Sequence, residues 1–514
     1  MEPYDTAVPA DCFASAQNTF NCLIGQLADP ATETLTHDLV EEMLAERGRE
    51  LLRLLLQAHL ALRAERERQA AITARAAGKA SGVAGAGQVV RRRLEAGHHR
   101  LLSTLFGTVT VTRCAWRAPG MPNVYPADAA LSLPGGRHSH GLARLAVAEA
   151  VRGSFDAAKS AITARCGPVI GKRRLEEAVV AAAADIDAFY QQRIPLPRTS
   201  EELLVISIDG KGVVMRPEAL RPGTARAAAR ARPRFRTRLA AGEKSYRKRM
   251  ATLGVVYDAE PAPRRGHDVI AVPGGRHGHR PLRPGPKARG KWLCGSVSAD
   301  PDEVIGSVFD QAEARDPAHA RTWVVLVDGA RHQLDLIHAE AERRGVRINV
   351  VIDVIHVLEY LWKAAWCLHT GGDPAAEDWV ATHALAVLAG HVDETVAGID
   401  AQAGAVGLAR DRRGGVETCI RYLKGNAAFL RYDRALAAGW PIATGVIEGA
   451  CRHLIGDRLD ITGARWGLPG AEAVLTLRAM IANGDFDAYW RFHLAQEHLR
   501  VHQTRYQDKL GFTA

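Results

Sequence analysis

The sequence predicts an α/β domain that carries an all-α insertion and follows a mainly helical region with a small β-hairpin. Three observations predict this fold. From about residue 203 onward, short apolar runs typical of buried strands alternate with helical patterns. Residues 374–436 contain no strand pattern and separate the last strand from a helix that begins near Thr444. Before residue 195, helical periodicity dominates.

The first 116 residues predict one long helix followed by a strand. Residues 34–75 carry leucines at heptad-like spacing with charges on the other side, and the helix is either an oligomerisation segment or an ordinary packing helix. "TVTVTRCAW" (108–116) alternates like a strand, and "APGMPN" behind it indicates a turn to a partner strand.

Three helices follow, at 139–153, 154–167 and 171–193, with Ser154 as an N-cap and Gly167 as a stop. The third helix opens with three cations, Lys172, Arg173 and Arg174. A short helix, a tight turn and a helix with a basic N-terminus fit a helix-turn-helix, which presents those residues to the major groove of DNA. The alternative is a helical hairpin with a solvated basic end.

Strands and helices alternate after a hinge-like segment at 195–202. The predicted elements are, in order, strands 203–208, 251–257 and 291–297, helix 301–314, strand 322–327, helix 332–344, strand 348–352 and a helix from about 356.

Aspartates follow three of these apolar runs, as Asp209, Asp328 and Asp353. The carboxyl ends of parallel strands are where α/β proteins place their ligands, and the glycine after Asp209 and after Asp328 lets the chain turn away there. Converging carboxylates repel each other unless they share a proton or bind a cation such as Mg²⁺. Glu448, on the helix that Thr444 caps, is the candidate for the third acid beside Asp209 and Asp328.

Three strands, a helix, a strand, a helix and a strand, with acids at these places, resemble the RNase H-like fold. Each acid also has a plain alternative. "IDGKGV" is a hairpin turn signal, Glu448 pairs with Arg452 one turn later, and Asp353 caps a helix in front of a structural His356.

Five segments in order resemble the ISKra family of bacterial insertion-sequence transposases, which are DDE enzymes distantly similar to the Mutator group. They are "SIDGKGVVMRPEAL", "GEKSYRKRMATLGVVYD", "VVLVDGARHQL", "VIDVIHVLEYLWKAAW" and "ATGVIEGACRHLIGDRLDITGARWG". The resemblance implies that Asp209, Asp328 and Glu448 form a catalytic triad binding two Mg²⁺ or Mn²⁺ ions, with Asp353 and His356 as accessory residues. It also implies cleavage and joining of DNA by a two-metal mechanism.

The formal charge of +10 and the pI near 9.3 favour a polyanionic partner. We expect double-stranded DNA, namely terminal inverted repeats and target, bound by a homodimer or larger assembly in a bacterial cytoplasm at the nucleoid, without a membrane. The predicted DNA-binding residues are Lys172, Arg173, Arg174, Lys211, Arg247, Lys248, Arg249, Arg452, Arg465 and Trp466; core packing is the alternative for Trp466.

The predicted segments are an N-terminal helical region (1–100), a hairpin with a DNA-end recognition motif (101–195), the first part of the catalytic core (196–370), the helical insertion (371–440), and the last part of the core with a C-terminal helix (441–514). Two alternatives share these residues: an RNase H-like nuclease without strand transfer, and a non-catalytic DNA-binding derivative.

Overall fold

The computed structural model of the protein describes residues 12–77, 83–84, 90–193, 201–230, 247–271 and 282–504. Within these ranges, no helix is both long enough and apolar enough to cross a membrane. The chain divides into two compact units: residues 1–189 with 487–514, and residues 190–486. The C-terminal helix therefore belongs to the first unit, whereas the sequence placed it with the catalytic core.

The first unit is mainly helical. Its elements are α1 (Ala14–Leu27), α2 (His37–Ala76), β1 (Val83–Ala84), β2 (Val90–Arg91), β3 (Arg93–Thr104), β4 (Gly107–Arg117), α3 (Pro126–Ala130), α4 (His140–Ala150), α5 (Phe155–Cys166), α6 (Lys172–Ala182), most of α7 (Ile186–Gln192) and of α18 (Phe486–His498).

The long helix is confirmed, but the partner of the predicted strand is not where the sequence placed it. Strand β4 pairs with β3, which precedes it, through a tight turn before Gly107, whose φ of 123° favours glycine. After "APGMPN" the chain returns for a single bridge between Trp116 and Val124. Strand β3 was missed because its first nine residues are mostly polar and show no alternation.

Helix α2 packs against this hairpin. The Gln57 side chain pairs with both backbone groups of Thr110, with both distances at 2.7 Å. Leu60 of α2 is buried with Leu102 and Val109 of the two strands. Burying these side chains is the main favourable contribution to docking α2 on the hairpin.

Helices α4, α5 and α6 pack on one another as a three-helix cluster. Ser154 caps α5 by accepting from the Ala157 N–H at 3.1 Å, and Gly167 ends it with a φ of 77°. Both predictions are confirmed. The predicted helix at 171–193 is broken into α6 and α7 by a turn at 183–185.

The second unit is mixed α/β. Its elements are β5 (Leu203–Val214), α8 (Pro222–Arg230), β6 (Lys248–Ala259), β7 (Arg289–Ser296), α9 (Pro301–Arg315), β8 (Trp323–Val327), α10 (Arg331–Arg344), β9 (Ile348–Ile352), α11 (Val354–Leu368), α12 (Pro374–Leu388), α13 (Val392–Ala405), α14 (Gly414–Asn426), α15 (Tyr432–Ala437), α16 (Gly445–Cys451) and α17 (Leu468–Ala482).

One five-stranded mixed sheet organises this unit, in the order β7-β6-β5-β8-β9. Strands β5, β8 and β9 run parallel, and β6 and β7 are antiparallel to their neighbours. The five residues of β8 are all buried, as expected for a central parallel strand. Helices α12 to α15 lie within the segment 371–440 that was predicted as a helical insertion, and α11 is the helix that was predicted before it, from about residue 356.

Helices cover both faces of the sheet beside β5. A Cβ on Gly254 of β6 would lie 2.2 Å from a methyl of Val308, so α9 approaches closely there. Asp209 pairs with Leu253, the neighbour of Gly254, and successive residues of a strand point to opposite faces. Asp209 therefore faces away from α9, toward α16, whose Cys451 it contacts.

Candidate metal centre

Asp209, Asp328 and Asp353 lie at one level across three neighbouring parallel strands. Ser207 of β5 pairs with Leu326 of β8, and the same offset two residues later matches Asp209 with Asp328. Val327 pairs with Ile352, so Asp328 matches Asp353. The Asp353 N–H confirms this level by donating to the Val327 carbonyl at 2.9 Å. Strand spacing of about 4.8 Å separates each aspartate from the next.

The chain turns away after Asp328 as predicted, but not after Asp209. Gly329 has a φ of 91°, which a side chain would strain. Strand β5, in contrast, runs on through Gly210 to Val214 and keeps its pairing with β6. The hairpin alternative for "IDGKGV" is therefore wrong, because the segment lies inside a strand whose partner β6 extends equally far.

Helix α16 crosses above these aspartates. Thr444, Glu448 and Cys451 lie at i, i+4 and i+7, which places them on one face of a helix. The Cys451 thiol donates to Asp209 Oδ2 at 3.2 Å, and the Thr444 hydroxyl lies 2.5 Å from Asp353 Oδ2. Seven residues span about 10 Å of helix, which equals two strand spacings. Glu448 thus lies between the contacts to β5 and to β9.

Three side chains converge closely enough to share one metal ion. Ligand atoms of Asp353, His356 and Glu448 all lie within 4.8 Å of one another. Asp353 is fully buried, His356 is half-buried and Glu448 is exposed, so the cluster opens to solvent on the helix side. Carboxylate oxygens with one imidazole nitrogen form a donor set that suits a divalent ion, and the imidazole favours Mn²⁺ over Mg²⁺.

Both carboxylates of this cluster, those of Asp353 and Glu448, accept hydrogen bonds. Asp353 Oδ1 accepts from the Ile355 N–H at 2.9 Å, so the aspartate does cap α11, as its alternative expected. Thr444 lies at the start of α16 without capping it, because its hydroxyl lies near Asp353 and 3.0 Å from Glu448 Oε1. Among the described contacts, Glu448 has this partner and not Arg452. The accessory pair from the sequence is thus part of the cluster.

Asp209 and Asp328 stand beside the cluster rather than in it. Asp328 Oδ1 accepts from the Ala330 N–H at 2.9 Å, and Asp209 Oδ1 accepts from the Gly210 N–H at 2.6 Å. Two strand spacings, about 10 Å, separate Asp209 from Asp353. Of the predicted triad, Glu448 alone belongs to the group of three, and the other two acids extend the acidic level toward β5.

Burial and the neighbouring carboxylate determine the state of Cys451. Burial of the thiol first, and then the charge of Asp209, raise the pKa of Cys451 well above its ordinary value. A thiol with a raised pKa stays protonated and acts as a hydrogen-bond donor, not as a nucleophile. Cys451 therefore contacts Asp209 as a protonated thiol that donates a hydrogen bond.

Two tyrosines from the insertion bind the ends of the strands that carry the acids. The Tyr422 hydroxyl on α14 donates to the Asp328 carbonyl at 3.0 Å, and the Tyr432 hydroxyl on α15 donates to the Ile352 carbonyl at 2.7 Å. Tyr432 is fully buried, and Tyr422 stacks on Tyr360 with ring centroids 3.9 Å apart. Neither residue was predicted, since no local pattern distinguishes them from packing tyrosines.

The predicted DNA contacts in this unit divide by exposure. Lys211, Arg247, Arg452 and Arg465 are exposed. Arg249 donates to the carbonyls of Val297 and Ser298, and Lys248 pairs with Asp460 at 3.4 Å, so both have structural partners. Two stretches rich in Lys and Arg, 221–250 and 264–291, also flank these strands in the sequence, and their residues 231–246 and 272–281 lie outside the described residues.

Trp466 belongs to the core. It is 6% exposed, its indole N–H donates to the Leu459 carbonyl at 2.9 Å, and Arg458 covers its ring at 4.7 Å. The prediction that Trp466 stacks on a base is therefore wrong, because both the ring and its polar edge are already engaged. The core alternative is what the structure contains.

In the first unit, the three cations at the start of α6 are exposed and paired with acids. Lys172 lies 2.6 Å from Asp156, and Arg173 and Arg174 both contact Glu177. Exposed pairs of this kind are weak and exchange readily for other anions.

Comparison with known protein families finds no match, and comparison with curated proteins finds no similar sequence.

Proposed function

We propose that the protein is a DNA transposase that cleaves and joins phosphodiester bonds at insertion-sequence ends with divalent metal ions. The observation that carries this proposal is the level formed by Asp209, Asp328 and Asp353 beneath Glu448. Carboxylates gathered at one level of adjacent parallel strands can hold the pair of divalent ions that two-metal phosphodiester chemistry uses.

An RNase H-like core is part of the proposal. The order of three strands, helix, strand, helix and strand, followed by a helical insertion and a helix with an acid, supports it. So does the resemblance of five segments to the ISKra family. The central position of β5, between the antiparallel and the parallel halves of the sheet, places the first acid at one end of the acidic level, with Asp328 between it and Asp353.

The residues fit two metal positions. Asp353, His356 and Glu448 would hold one ion, and Asp209 and Asp328 would hold another, with Glu448 between them along α16. The metal ions supply activation of the attacking oxygen and neutralisation of the leaving oxygen. Cys451 orients Asp209, and Thr444 orients Asp353 and Glu448. Tyr422 holds the backbone of Asp328.

Exposed cations near the acids suit the backbone of the substrate. Lys211 follows Asp209 by two residues, and its charge acts on Cys451, so it lies near the acidic level. Arg452 follows Cys451 directly and is exposed. Cations of this kind would bind phosphates on either side of the bond that is cut, with an affinity that falls as salt rises.

The test is a cleavage and strand-transfer assay. DNA beside the gene is searched for inverted repeats, and an oligonucleotide carrying one repeat is incubated with the protein and Mn²⁺ or Mg²⁺. A nick at the repeat followed by joining to a second DNA supports a transposase. Cleavage without joining supports the nuclease alternative, and metal-independent binding without cleavage supports a non-catalytic derivative.

A further inference from the structure

A second site lies in the first unit, far along the chain from the acidic residues. A cavity of about 760 Å³ is bounded by the end of the hairpin, by α4 and α6, and by α18. Its volume falls within the range of ligand pockets, roughly 300–1,000 Å³. None of the residues proposed for metal binding or catalysis lines it.

The rim of the cavity is cationic. Arg137 and Arg174 line it, together with His138 and the N-terminus of α6 at Gly171. Burial first, and then the charges of Arg174 and Arg137, lower the pKa of His138, so the two arginines and not the imidazole carry the positive charge of the rim. Gly171 provides no side-chain cap, so the first N–H groups of α6 add to the positive potential.

Two acids also line the cavity, and both have cationic partners. Glu177 lies 2.6 Å from Arg174, and Glu497 lies 2.9 Å from Arg500. Arg174 is largely exposed, so it can exchange Glu177 for a ligand phosphate at small cost.

The interior combines apolar walls with buried polar groups. Ile170 and Ala178 form part of the walls, and Trp490 lines the cavity with its ring 5.3 Å from that of His493. His493 is 7% exposed, and Asp185 Oδ2 holds its Nδ1 at 2.6 Å. This contact leaves Nε2 as the ring nitrogen without a protein partner among the described contacts.

We propose that this cavity binds one unstacked nucleotide of a DNA strand, with the base inside and its phosphate at the rim. Apolar and aromatic walls with a few buried polar groups are the chemistry that accepts a base taken out of the stack. The cationic rim suits the attached phosphate, and Lys172 and Arg173 continue the basic surface beyond it. The proposal rests on the proposed function in taking DNA as the partner.

The test measures binding of a short fluorescent single-stranded oligonucleotide by the full-length protein, with EDTA present to exclude cleavage. Ala178→Phe fills the cavity without changing charge. It is expected to weaken binding about 5- to 30-fold, since stacking of one base contributes about 1–2 kcal/mol. Binding of an abasic oligonucleotide of equal length is expected to change less than about twofold, because no base enters the cavity.

Arg174→Gln tests the rim without filling the cavity, with Arg173→Gln as the matched control. Both arginines are exposed and contact Glu177, but only Arg174 lines the cavity. Arg174→Gln is expected to weaken binding of the intact oligonucleotide more than Arg173→Gln does. Equal effects of the two, or an Ala178→Phe variant that affects intact and abasic strands alike, would overturn the proposal.

A free nucleotide could also present a base and a phosphate to this cavity. dAMP and inorganic phosphate are added as competitors, and we expect both to displace the oligonucleotide only at much higher concentration. Displacement by dAMP at the concentration of the oligonucleotide would assign the cavity to a free nucleotide and overturn the DNA assignment. Because no metal is present, loss of cleavage in the second unit leaves this result unaffected.

Discussion

Both ends of the central sheet contain acidic residues, but the acids at the two ends differ in whether arginines are paired with them. At the end where β8 begins, Asp258 is buried between Arg315, at 3.0 Å, and Arg321, at 2.8 Å. At the opposite end, Asp209, Asp328, Asp353 and Glu448 accept hydrogen bonds, and the described residues include no Lys or Arg paired with them.

This difference separates an acid that the protein pairs with its own arginines from acids that have no such partner among the described residues. A buried carboxylate paired with two guanidinium groups is neutralised by the protein itself and has no need of a further cation. Acids gathered without a cation leave negative charge that repels unless a metal ion binds. The contrast within a single sheet therefore supports the proposed metal site at the end that carries Asp209, Asp328, Asp353 and Glu448, and substitutions at each end test it.

The largest effect is expected at the unpaired end. Glu448→Gln removes a metal ligand while keeping the side-chain shape and the hydrogen bond from Thr444. Cleavage is expected to fall by at least about a thousandfold, because several kcal/mol of charge stabilisation are lost. The rate is measured with Mn²⁺. A thermal unfolding midpoint that does not fall shows that folding is intact, and a variant with full activity would remove Glu448 from the site.

At the paired end, Asp258→Asn is expected to affect stability instead of metal binding. It leaves two buried arginines without their carboxylate, which costs about 3–5 kcal/mol of the free energy of unfolding. Chemical denaturation measures the loss. The control is Asp300→Asn, whose partner Arg221 is exposed and whose loss should cost less than about 1 kcal/mol. If the two variants were equally stable, the distinction between the ends would fail.

A smaller effect is expected at the two insertion tyrosines that donate hydrogen bonds to the backbone beside the acids. Tyr432→Phe leaves the buried Ile352 carbonyl without its donor, which lowers the free energy of unfolding by about 1–3 kcal/mol.

Tyr422→Phe removes the hydrogen bond to the Asp328 carbonyl. Mn²⁺ affinity is expected to weaken about tenfold, as it does when groups that support the ligands of a metal site are lost. Calorimetric titration measures that affinity. Tyr360→Phe keeps the stacked ring and serves as the control. If Tyr422→Phe bound Mn²⁺ as tightly as Tyr360→Phe, the role of Tyr422 would be contradicted.

The smallest effect is expected in acid. Burial opposes the charge of Asp316, but hydrogen bonds from the Trp323 indole and from backbone N–H groups outweigh it and lower the pKa of Asp316 below 3.8. Its ionised form therefore stabilises the fold above pH 3.8, and this contribution is lost as the pH falls through the folded pKa. Asp316→Asn is expected to flatten the dependence of stability on pH below about 4. An unchanged acid limb in pH-dependent denaturation would contradict this.

The order and type of most elements in the second unit followed from the sequence. The predicted strands 322–327 and 348–352 match β8 and β9 within one residue, since buried strands have local apolar runs bounded by turn residues. Strand β5 was predicted six residues short, because "DGKG" is a turn signal that pairing with β6 overrides.

No local pattern in the sequence shows which of these side chains come together in the folded protein. Asp353 and His356 were accessory in the sequence because each had a sufficient local role, as cap and as helix residue. Their place in the cluster depends on the register of β8 with β9 and on the position of α16, which long-range packing sets. The same reason explains Trp466, whose pattern is identical whether it is buried or exposed.

The sequence by itself determined that Asp328 and Asp353 would follow strands of an α/β sheet, because periodicity and turn residues act over a few neighbours. Tertiary structure alone decided that Glu448 joins Asp353 and His356, that Tyr422 and Tyr432 hold the strand ends, and that a cavity with a cationic rim forms beside α6. These features join residues distant in the chain, and their positions depend on the sum of many packing contacts, which no short segment contains.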